Sequence, residues 1–310
     1  MAASHSPFQK IAVVGSGAVG CYYGALLARS GKETHFLMRR DLAHVQEQGL
    51  EVRSQAGSFT LSNPFAHATT REIGPCDLVI IALKATDNQV LPDLIPPLLN
   101  SHTAILTLQN GLANEAFLAS HFGHERILGG LCFVCLNRTG PGLVEHFSQG
   151  TIALGEYERP PAERTHQLVA DFQNANIDCR LMDDLSLARW RKLVWNVPFN
   201  GLSIVGGGVD VSAILKSPSL AHLARCLMHE IIGIAKQLGY EMPDAFIEQQ
   251  FEVTTGMGPY KPSSLLDFLS KRPVEVEAIW GEALREGQAS NAACDHLEML
   301  YHLLKAQCPT

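Results

Sequence analysis

Three polar side chains at helical spacing, in a stretch rich in apolar residues, could carry out chemistry. They are Lys192, Asn196 and Asn200, at positions i, i+4 and i+8 of a predicted helix over residues 184–202, and such positions lie on one face. The ammonium could stabilise negative charge on a reacting oxygen or donate a proton to it, and the amides could orient a bound molecule. A solvated polar stripe has the same spacing, so the pattern leaves both interpretations open.

A glycine pattern near the N-terminus could bind a dinucleotide. Gly15, Gly17 and Gly20 follow an apolar run and precede a run without helix breakers, which predicts a strand, a turn and a helix. The first glycine would make the turn, the second would let a pyrophosphate approach the backbone, and the third would let the helix pack closely. The phosphates would face the unpaired N–H groups at the helix start. A glycine-rich surface loop is the alternative, and the strand-to-helix context favours a dinucleotide site made by Gly15, Ser16, Gly17, Ala18, Val19 and Gly20.

The residues after the second predicted strand bear on the choice of dinucleotide. Roughly 20 residues past the glycines, an NAD-selective site presents Asp or Glu to the ribose hydroxyls, and this chain has Arg39 there. A guanidinium suits a 2′-phosphate, so the sequence favours NADP(H). Two solvated arginines, Arg39 and Arg40, are the alternative, and Asp41 close by keeps NAD open.

The composition excludes several classes of partner. The chain has 310 residues, of which 46% are hydrophobic and 18% charged, enough for two domains with separate cores. A formal net charge of −7 and a pI near 6.0 argue against nucleic acid or an anionic membrane as a partner. No stretch approaches the roughly 20 apolar residues that span a bilayer, and residues 1–9 lack the features of a secretory signal. We therefore expect a cytoplasmic protein.

Cysteine and histidine spacing favours neither disulfide nor metal chemistry. The eight cysteines are scattered in a chain too large to need disulfides. Cys132 and Cys135 lie three apart in a predicted strand, where side chains point to opposite faces. His222, Cys226 and His229 could hold a metal with a fourth ligand from elsewhere. No such ligand is evident nearby, and polar residues opposite an apolar helix face need none, so we expect no metal.

The order of predicted elements divides the chain near residues 182–185. Strands and helices alternate up to that point, with a predicted hairpin over residues 49–61. This order is typical of an α/β Rossmann-type domain whose mostly parallel sheet has added antiparallel strands. Helical periodicity follows almost throughout. We therefore predict a dinucleotide-binding domain over residues 1–183 and an all-α substrate and catalytic domain over residues 184–310.

Two polar residues follow predicted strands of the first domain. Lys84 comes after a buried strand at residues 77–83, and Asn110 after a strand at residues 103–108. Both should lie at the carboxyl edge, where open α/β sheets bind ligands. The same patterns predict one helix over residues 86–99, interrupted by prolines, and separate strands over residues 143–147 and 151–154.

Helix-start signals account for other polar residues of the second domain. Ser264 and Asp267 resemble a capping box, and Pro273 with neighbouring acids would begin the next helix. Ser263 and Glu275, which lie in these two stretches, are therefore not functional candidates by themselves.

The ordered set of motifs, along nearly the whole chain, resembles the ketopantoate reductase family, also called 2-dehydropantoate 2-reductases. The glycine pattern is common to many dehydrogenases, whereas the complete set is far more specific. It comprises Gly15-Ser16-Gly17-Ala18-Val19-Gly20, Leu83-Lys84, Leu108-Gln109-Asn110-Gly111, Trp190-Arg191-Lys192-Leu193 with Asn196 and Asn200, Pro262-Ser263 with Asp267, and Glu275 with Gly281.

The resemblance implies an enzyme that uses NADP(H) to reduce a 2-oxo acid, 2-dehydropantoate or a related keto acid, to the D-2-hydroxy acid, as in pantothenate biosynthesis. It implies a small-molecule 2-oxo acid as partner and leaves a homodimer open. Lys192 matches the family's catalytic lysine, and Glu275 matches its acidic partner, which would also meet the nicotinamide ribose. The remaining matches are Lys84 and Asn110 to cofactor and active-site contacts, and Asn196, Asn200 and Ser263 to groups that hold the substrate.

Three residues depart from the family pattern. Tyr260 and Asp210 stand where asparagines are expected, and Trp280 precedes Gly281 where asparagine is usual. A carboxylate near an anionic substrate is unfavourable unless it is paired or points away. These departures leave reduction of a carbonyl intact but put ketopantoate itself in question. The alternatives are another hydroxy-acid or opine-type dehydrogenase, and an NADPH-binding sensor or scaffold without turnover.

Overall fold

The chain forms two compact units in a computed structural model that describes residues 6–308. One unit takes the chain up to Gln109 together with Asn114–Leu185, and the other takes Asn110–Ala113 and the chain from Ser186 onward. The four-residue segment Asn110–Ala113 therefore belongs to the second unit. Residues 1–5, which begin the N-terminal segment considered for a signal, lie outside the described residues.

The first unit contains a curled, mostly parallel sheet. Over residues 6–308 its strands are β1 (Lys10–Val14), β2 (Glu33–Leu37), β3 (Leu50–Ser54), β4 (Phe59–Leu61), β5 (Phe65–His67), β6 (Leu78–Ile81), β7 (Ala104–Thr107), β8 (Ile127–Gly140), β9 (Leu143–Glu156) and β10 (Cys179–Leu181). The strand order is β4-β3-β9-β8-β7-β6-β1-β2-β5, with β10 paired to β9. Only the β3–β4 and β8–β9 pairs are antiparallel among the strands described. The predicted Rossmann-type sheet with added antiparallel strands is confirmed.

Both faces of the central strands are buried. Along β1, Ile11 and Val13 belong to one apolar cluster while Ala12 and Val14 belong to another. This alternation is the two-residue period of a strand covered on both sides. It explains why β1 has a continuous apolar sequence.

The helices of the first unit cover these faces. They are α1 (Ala18–Arg29), α2 (Leu42–Gln48), α3 (Thr70–Ile73), α4 (Leu91–Leu94), α5 (Asn114–Phe122) and α6 (Glu163–Asn174). The helix predicted over residues 86–99 is interrupted by prolines as expected, but its α-helical part is confined to α4. The chain forms 3-10 turns at Ala85–Val90 and Pro96–Leu98 on either side of α4, because Pro96 and Pro97 lack the N–H groups that a longer helix needs.

The prediction of separate strands over residues 143–147 and 151–154 is also wrong. They form one strand, β9, with a bulge. Phe133 of β8 faces Thr151, whereas Val134 faces Gln149, so Gly150 has no opposite residue. One extra residue bends a strand without ending it, and the turn-like Gln149-Gly150 pair accordingly sits within the strand.

The second unit is helical around its own apolar core. Its helices are α7 (Leu185–Val205), α8 (Val211–Lys216), α9 (Pro218–Gln237), α10 (Phe246–Gly256), α11 (Ser263–Leu269), α12 (Glu282–Ala289) and α13 (Asp295–Gln307), with a π-helical segment at Glu277–Gly281. Trp280, Phe199 and Ile231 are among its fully buried side chains. The predicted helical region is confirmed.

A helix begins within residues 261–267 as predicted, but its predicted capping box is wrong, and the next helix begins later than predicted. Helix α11 begins at Ser263 after an N-cap at Pro262, so Ser264 lies inside the helix and Asp267 pairs with Arg272 instead of completing a capping box. The next helix begins at residue 276, three residues after Pro273. Glu275 therefore precedes the helical segment.

Several absences hold for the described part of the chain. Within residues 6–308, none of the helices combines the length and apolar character needed to cross a bilayer. No three His, Cys, Asp or Glu side chains in that range are placed to share a metal ion. In the predicted trio, Cys226 Sγ lies 3.6 Å from His222 Nε2. The eight cysteines are free thiols.

Candidate cofactor loop and active site

The loop between β1 and α1 has the geometry of a phosphate-binding turn. Gly15 has φ of +108°, and a Cβ there would lie 2.4 Å from the backbone nitrogen of Leu83. A Cβ on Gly20 would lie 2.2 Å from the carbonyl oxygen of Gly15, whereas a Cβ on Gly17 would meet nothing within 4 Å. The first and third glycines thus permit close packing. The second leaves open space at the N-terminus of α1, where a pyrophosphate can approach.

Ser16 and Cys21 hold this loop in place. The Ser16 hydroxyl donates to the carbonyl of Leu37 over 2.7 Å, and the Cys21 thiol donates to the carbonyl of Ser16 over 3.3 Å. Burial raises the pKa of the Cys21 thiol to about 12, against the lowering effect of the Arg138 charge. Cys21 therefore stays a neutral thiol at physiological pH, and the loop is fixed to the end of β2.

The loop after β2 carries the residues that bear on dinucleotide choice. Arg39 and Arg40 are exposed. The Asp41 carboxylate forms an ion pair with Arg138 and accepts a hydrogen bond from the Gly142 N–H. Arg138 also donates to the Ser16 carbonyl over 2.9 Å. Sequence reasoning missed Arg138, because it lies 122 residues from Ser16 and has no local motif.

Lys84 is the chain neighbour of Leu83, which packs against the glycine loop. It directly follows Leu83, whose backbone nitrogen is the atom that a Cβ on Gly15 would strike. Lys84 is half-buried, and its carbonyl accepts from the N–H of Asp87 over 2.9 Å at the start of a 3-10 turn. The structure therefore places Lys84 and the glycine loop in the same part of the first unit.

Lys192 and Asn110 are in direct contact within the second unit. The Lys192 ammonium donates to Asn110 Oδ1 over 2.8 Å. The Asn110–Ala113 segment is itself anchored, because the Leu112 N–H donates to the Ala278 carbonyl over 2.8 Å. Gly111 has φ of +85°, and a Cβ there would lie 2.2 Å from that same carbonyl. The Asn-Gly pair therefore makes a tight turn that presents the Asn110 amide to the ammonium.

The two asparagines of α7, Asn196 and Asn200, are buried and follow Lys192 along the helix. The Asn200 amide nitrogen donates to the Asn196 carbonyl over 3.1 Å, and its Oδ1 accepts from the Ser264 N–H over 3.1 Å. Asn200 therefore ties α7 to the first turn of α11. Ser263, which matches a substrate-binding residue of the family, is exposed at the start of α11.

Glu275 lies in the segment that anchors Asn110. It is only 4% exposed and directly precedes Val276, the N-cap of the π-helical turn that contains Ala278. A buried carboxylate is expensive unless it is paired or bonded, and π-helical turns occur frequently at functional sites. The second unit thus brings the Asn110–Ala113 segment together with Lys192 and with the turn after Glu275.

Two of the three departures from the family pattern have local structural roles. Asp210 is the N-cap of α8, where its Oδ1 accepts from the Ala213 N–H over 2.8 Å. Trp280 is fully buried, and its indole nitrogen donates to the Val197 carbonyl over 2.9 Å. Tyr260 is half-buried, with its ring centroid 6.3 Å from that of Trp195. The Asp210 carboxylate is thus hydrogen-bonded at a helix N-terminus. It therefore has the partner that a carboxylate near an anionic substrate requires.

The chain combines a Rossmann-like sheet, a glycine loop after the first strand, and a helical unit. In the helical unit, Lys192 and Asn110 form a lysine cluster. This combination is typical of a class of two-unit oxidoreductases. Comparisons with known proteins agree. Residues 11–159 match the family described as "Ketopantoate reductase PanE/ApbA", and residues 184–307 match its C-terminal counterpart. The chain therefore belongs to the ketopantoate reductase family.

Relatives and solved structures support this assignment. The 2-dehydropantoate 2-reductase of Nostoc sp. is 40% identical over 302 residues, which cover 96% of this chain and 94% of the relative. The crystal structure of the enzyme of that name from Geobacter metallireducens has a TM-score of 0.94 and 45% identity, and covers 96% of this chain and 99% of its own. The corresponding structure from Methylococcus capsulatus has a TM-score of 0.88 and 34% identity, and covers 96% of both chains.

Proposed function

We propose that this protein reduces a 2-oxo acid, 2-dehydropantoate or a related keto acid, to the D-2-hydroxy acid with NADPH, as in pantothenate biosynthesis. The hydrogen bond of 2.8 Å between Lys192 Nζ and Asn110 Oδ1 carries the proposal. It gives Lys192, which matches the family's catalytic lysine, a fixed position. Membership of an oxidoreductase family named for this reaction supports the same conclusion.

The residues of the first unit fit a nicotinamide dinucleotide. Gly17 faces open space at the start of α1, and the tight contacts of Gly15 and Gly20 shape the turn around it. The pyrophosphate would lie against this turn and its N–H groups. Arg39 would bind the 2′-phosphate of NADPH, and Lys84 and Asn110 would contact the cofactor from the ends of β6 and β7. When bound, the reduced nicotinamide supplies the hydride.

Lys192 would act on the oxygen of the substrate ketone. Hydride addition to the carbonyl carbon moves an electron pair onto that oxygen, and an ammonium directed at it stabilises the developing charge. Transfer of one ammonium proton to the oxygen then completes the hydroxyl group, and solvent restores the proton to Lys192. The Glu275 carboxylate would accept hydrogen bonds from the hydroxyl groups of the nicotinamide ribose.

Asn196, Asn200 and Ser263 would orient the substrate in this proposal. Asn200 also has a positioning role, since its amide joins α7 to the Ser264 N–H of α11. With Asp210 engaged at a helix N-terminus and Trp280 in the core, Tyr260 is the departure that bears most on the choice of substrate. A half-buried aromatic residue would favour keto acids with larger apolar groups.

Turnover of keto acids would test the proposed function. Purified protein is mixed with NADPH or NADH and a panel containing ketopantoate, pyruvate, 2-oxoisovalerate and phenylpyruvate, and cofactor absorbance is followed. We expect NADPH to be consumed with at least one keto acid and the product to have the D configuration on chiral chromatography. NADPH that binds but is never consumed would favour the sensor or scaffold, and consumption only with an amine co-substrate would favour an opine-type dehydrogenase.

A further inference from the structure

Arg138 joins two loops that flank the proposed dinucleotide site of the first unit. It lies near the end of β8, and its Nη1 donates to the Ser16 carbonyl over 2.9 Å. Its Nη2 forms an ion pair with Asp41 in the loop after β2. The side chains of Arg138 and Asp41 are 28% and 14% exposed. One guanidinium thus contacts both the glycine loop and the carboxylate that follows β2.

The Asp41 carboxylate is held by two donors. Besides Arg138, the Gly142 N–H donates to Asp41 Oδ2 over 2.9 Å. Asp41 is the N-cap residue of α2, yet its side chain makes no capping hydrogen bond there. An aspartate at an N-cap ordinarily bonds to the first turn of its helix, whereas the Asp41 carboxylate bonds to Arg138 and Gly142 of the β8–β9 hairpin.

The position of Asp41 makes this restraint important for cofactor choice. An acidic residue after the second strand accepts hydrogen bonds from the ribose hydroxyls of NAD, and a free carboxylate there repels a 2′-phosphate. Paired with Arg138, the carboxylate is neutralised, while Arg39 and Arg40 remain exposed on the same loop. The exposed charges that this loop offers a ligand are therefore those of its two guanidinium groups.

We infer that Arg138 is a specificity-determining positioning residue that favours the 2′-phosphorylated dinucleotide by sequestering Asp41. This inference rests on the proposed function, since it presumes that the protein binds a nicotinamide dinucleotide. Arg138 acts through Asp41 and not by reaching the reacting atoms. A purely structural clasp between the hairpin and the loops would affect NADPH and NADH equally, which separates the two roles.

The test is a double-mutant cycle on cofactor preference. Dissociation constants of NADPH and NADH are measured by fluorescence for the wild type, Arg138→Met, Asp41→Asn and the double variant, with 2′,5′-ADP and 5′-ADP as probes of the adenosine end. In Arg138→Met the freed carboxylate should lower the preference for NADPH over NADH by about tenfold or more, because like charges at a binding site are strongly unfavourable. Asp41→Asn should keep the wild-type preference, and adding it to Arg138→Met should restore that preference.

Controls keep the inference separate from loss of folding and from the proposed function. Arg180→Met removes an arginine that is exposed on β10 and paired with Asp178, and it should leave the NADPH to NADH ratio unchanged. Circular dichroism would check that each variant is folded, with Arg138→Lys as a second variant that keeps the charge. An unchanged ratio in Arg138→Met, or no restoration in the double variant, would overturn the inference alone. A wild type that binds neither dinucleotide would overturn the proposed function as well.

Discussion

The glycine loop of the first unit and the lysine cluster of the second unit are built in different ways. The loop is formed by one short stretch, Gly15 to Gly20, at the start of α1. The cluster takes its side chains from distant stretches, with Asn110 and Lys192 separated by 82 residues. The geometry of the first region depends on backbone conformation, whereas that of the second depends on where side chains are placed.

Because of this difference, the two regions should respond differently to amino-acid substitutions. In the loop, a substitution acts through space that a Cβ would fill. In the cluster, a substitution removes a functional group or the partner that positions it. Changes to the two regions should therefore affect different measurements, and this separation can be tested directly.

The largest effect should come from Lys192→Ala. Because the proposed function has Lys192 stabilise charge on the reacting oxygen, this variant should lower kcat by about 10²- to 10³-fold, while the dissociation constant of NADPH should stay nearly unchanged. Steady-state kinetics and fluorescence titration would measure both. The control is Lys236→Ala, at an exposed position of α9. Equal losses in turnover and in cofactor binding would contradict the role given to Lys192.

A large effect on stability, without an effect on chemistry, is expected for Glu156→Gln in the first unit. The carboxylate is fully buried and bonded to Arg159, Arg164 and Thr165. Losing one partner of such a buried pair should cost about 3 kcal/mol of unfolding free energy, measured by urea denaturation. Turnover per folded molecule should be unchanged. Glu248→Gln, which breaks an exposed pair with Arg225, is the control and should cause no measurable destabilisation.

The Glu156 effect should also depend on pH. Burial alone would raise the pKa of this carboxyl, but hydrogen bonds from Arg164 and Thr165 and the charges of Arg164 and Arg159 outweigh burial and lower the pKa. A depressed pKa in the folded state contributes stability above the unfolded pKa of about 4.3, and this contribution is lost as pH falls through the folded value. The difference in stability between wild type and Glu156→Gln should therefore shrink below about pH 4. A difference that stays constant down to pH 2 would contradict this explanation.

The smallest effects, and the sharpest contrast within the loop, should come from Gly20→Ala and Gly17→Ala. A Cβ on Gly20 meets the Gly15 carbonyl, so this variant should lose about 1–3 kcal/mol of stability. A Cβ on Gly17 meets nothing in the protein, so that variant should fold normally but bind NADPH about tenfold more weakly, or about 1.4 kcal/mol. Thermal unfolding and fluorescence titration would separate the two. Normal NADPH binding by Gly17→Ala would show that no pyrophosphate approaches that position.

The sequence predicted the features that depend on neighbouring residues. The strand, loop and helix over β1 and α1, the long helix with Lys192, Asn196 and Asn200, and the change from an alternating to a helical pattern all follow from short-range spacing. Errors occurred where local signals compete with tertiary contacts. Gly150 sits in a bulge of β9 because β8 continues alongside it. Ser264 lies inside α11, where its N–H donates to Asn200 of α7, instead of capping the helix.

The amino-acid sequence by itself determined the Rossmann-type and helical regions and the glycine turn, because hydrophobic period and glycine placement act within a few residues. Spacing placed Lys192 on a polar helix face but left a functional and a solvated stripe equally open. Only the tertiary structure decided that Asn110 meets Lys192, that Asn200 holds Ser264, and that Arg138 ties back Asp41. Arg138 and Asp41 lie in separate elements, one near the end of β8 and the other in the loop after β2. Such contacts depend on how whole strands and helices pack, and no spacing within one element encodes them.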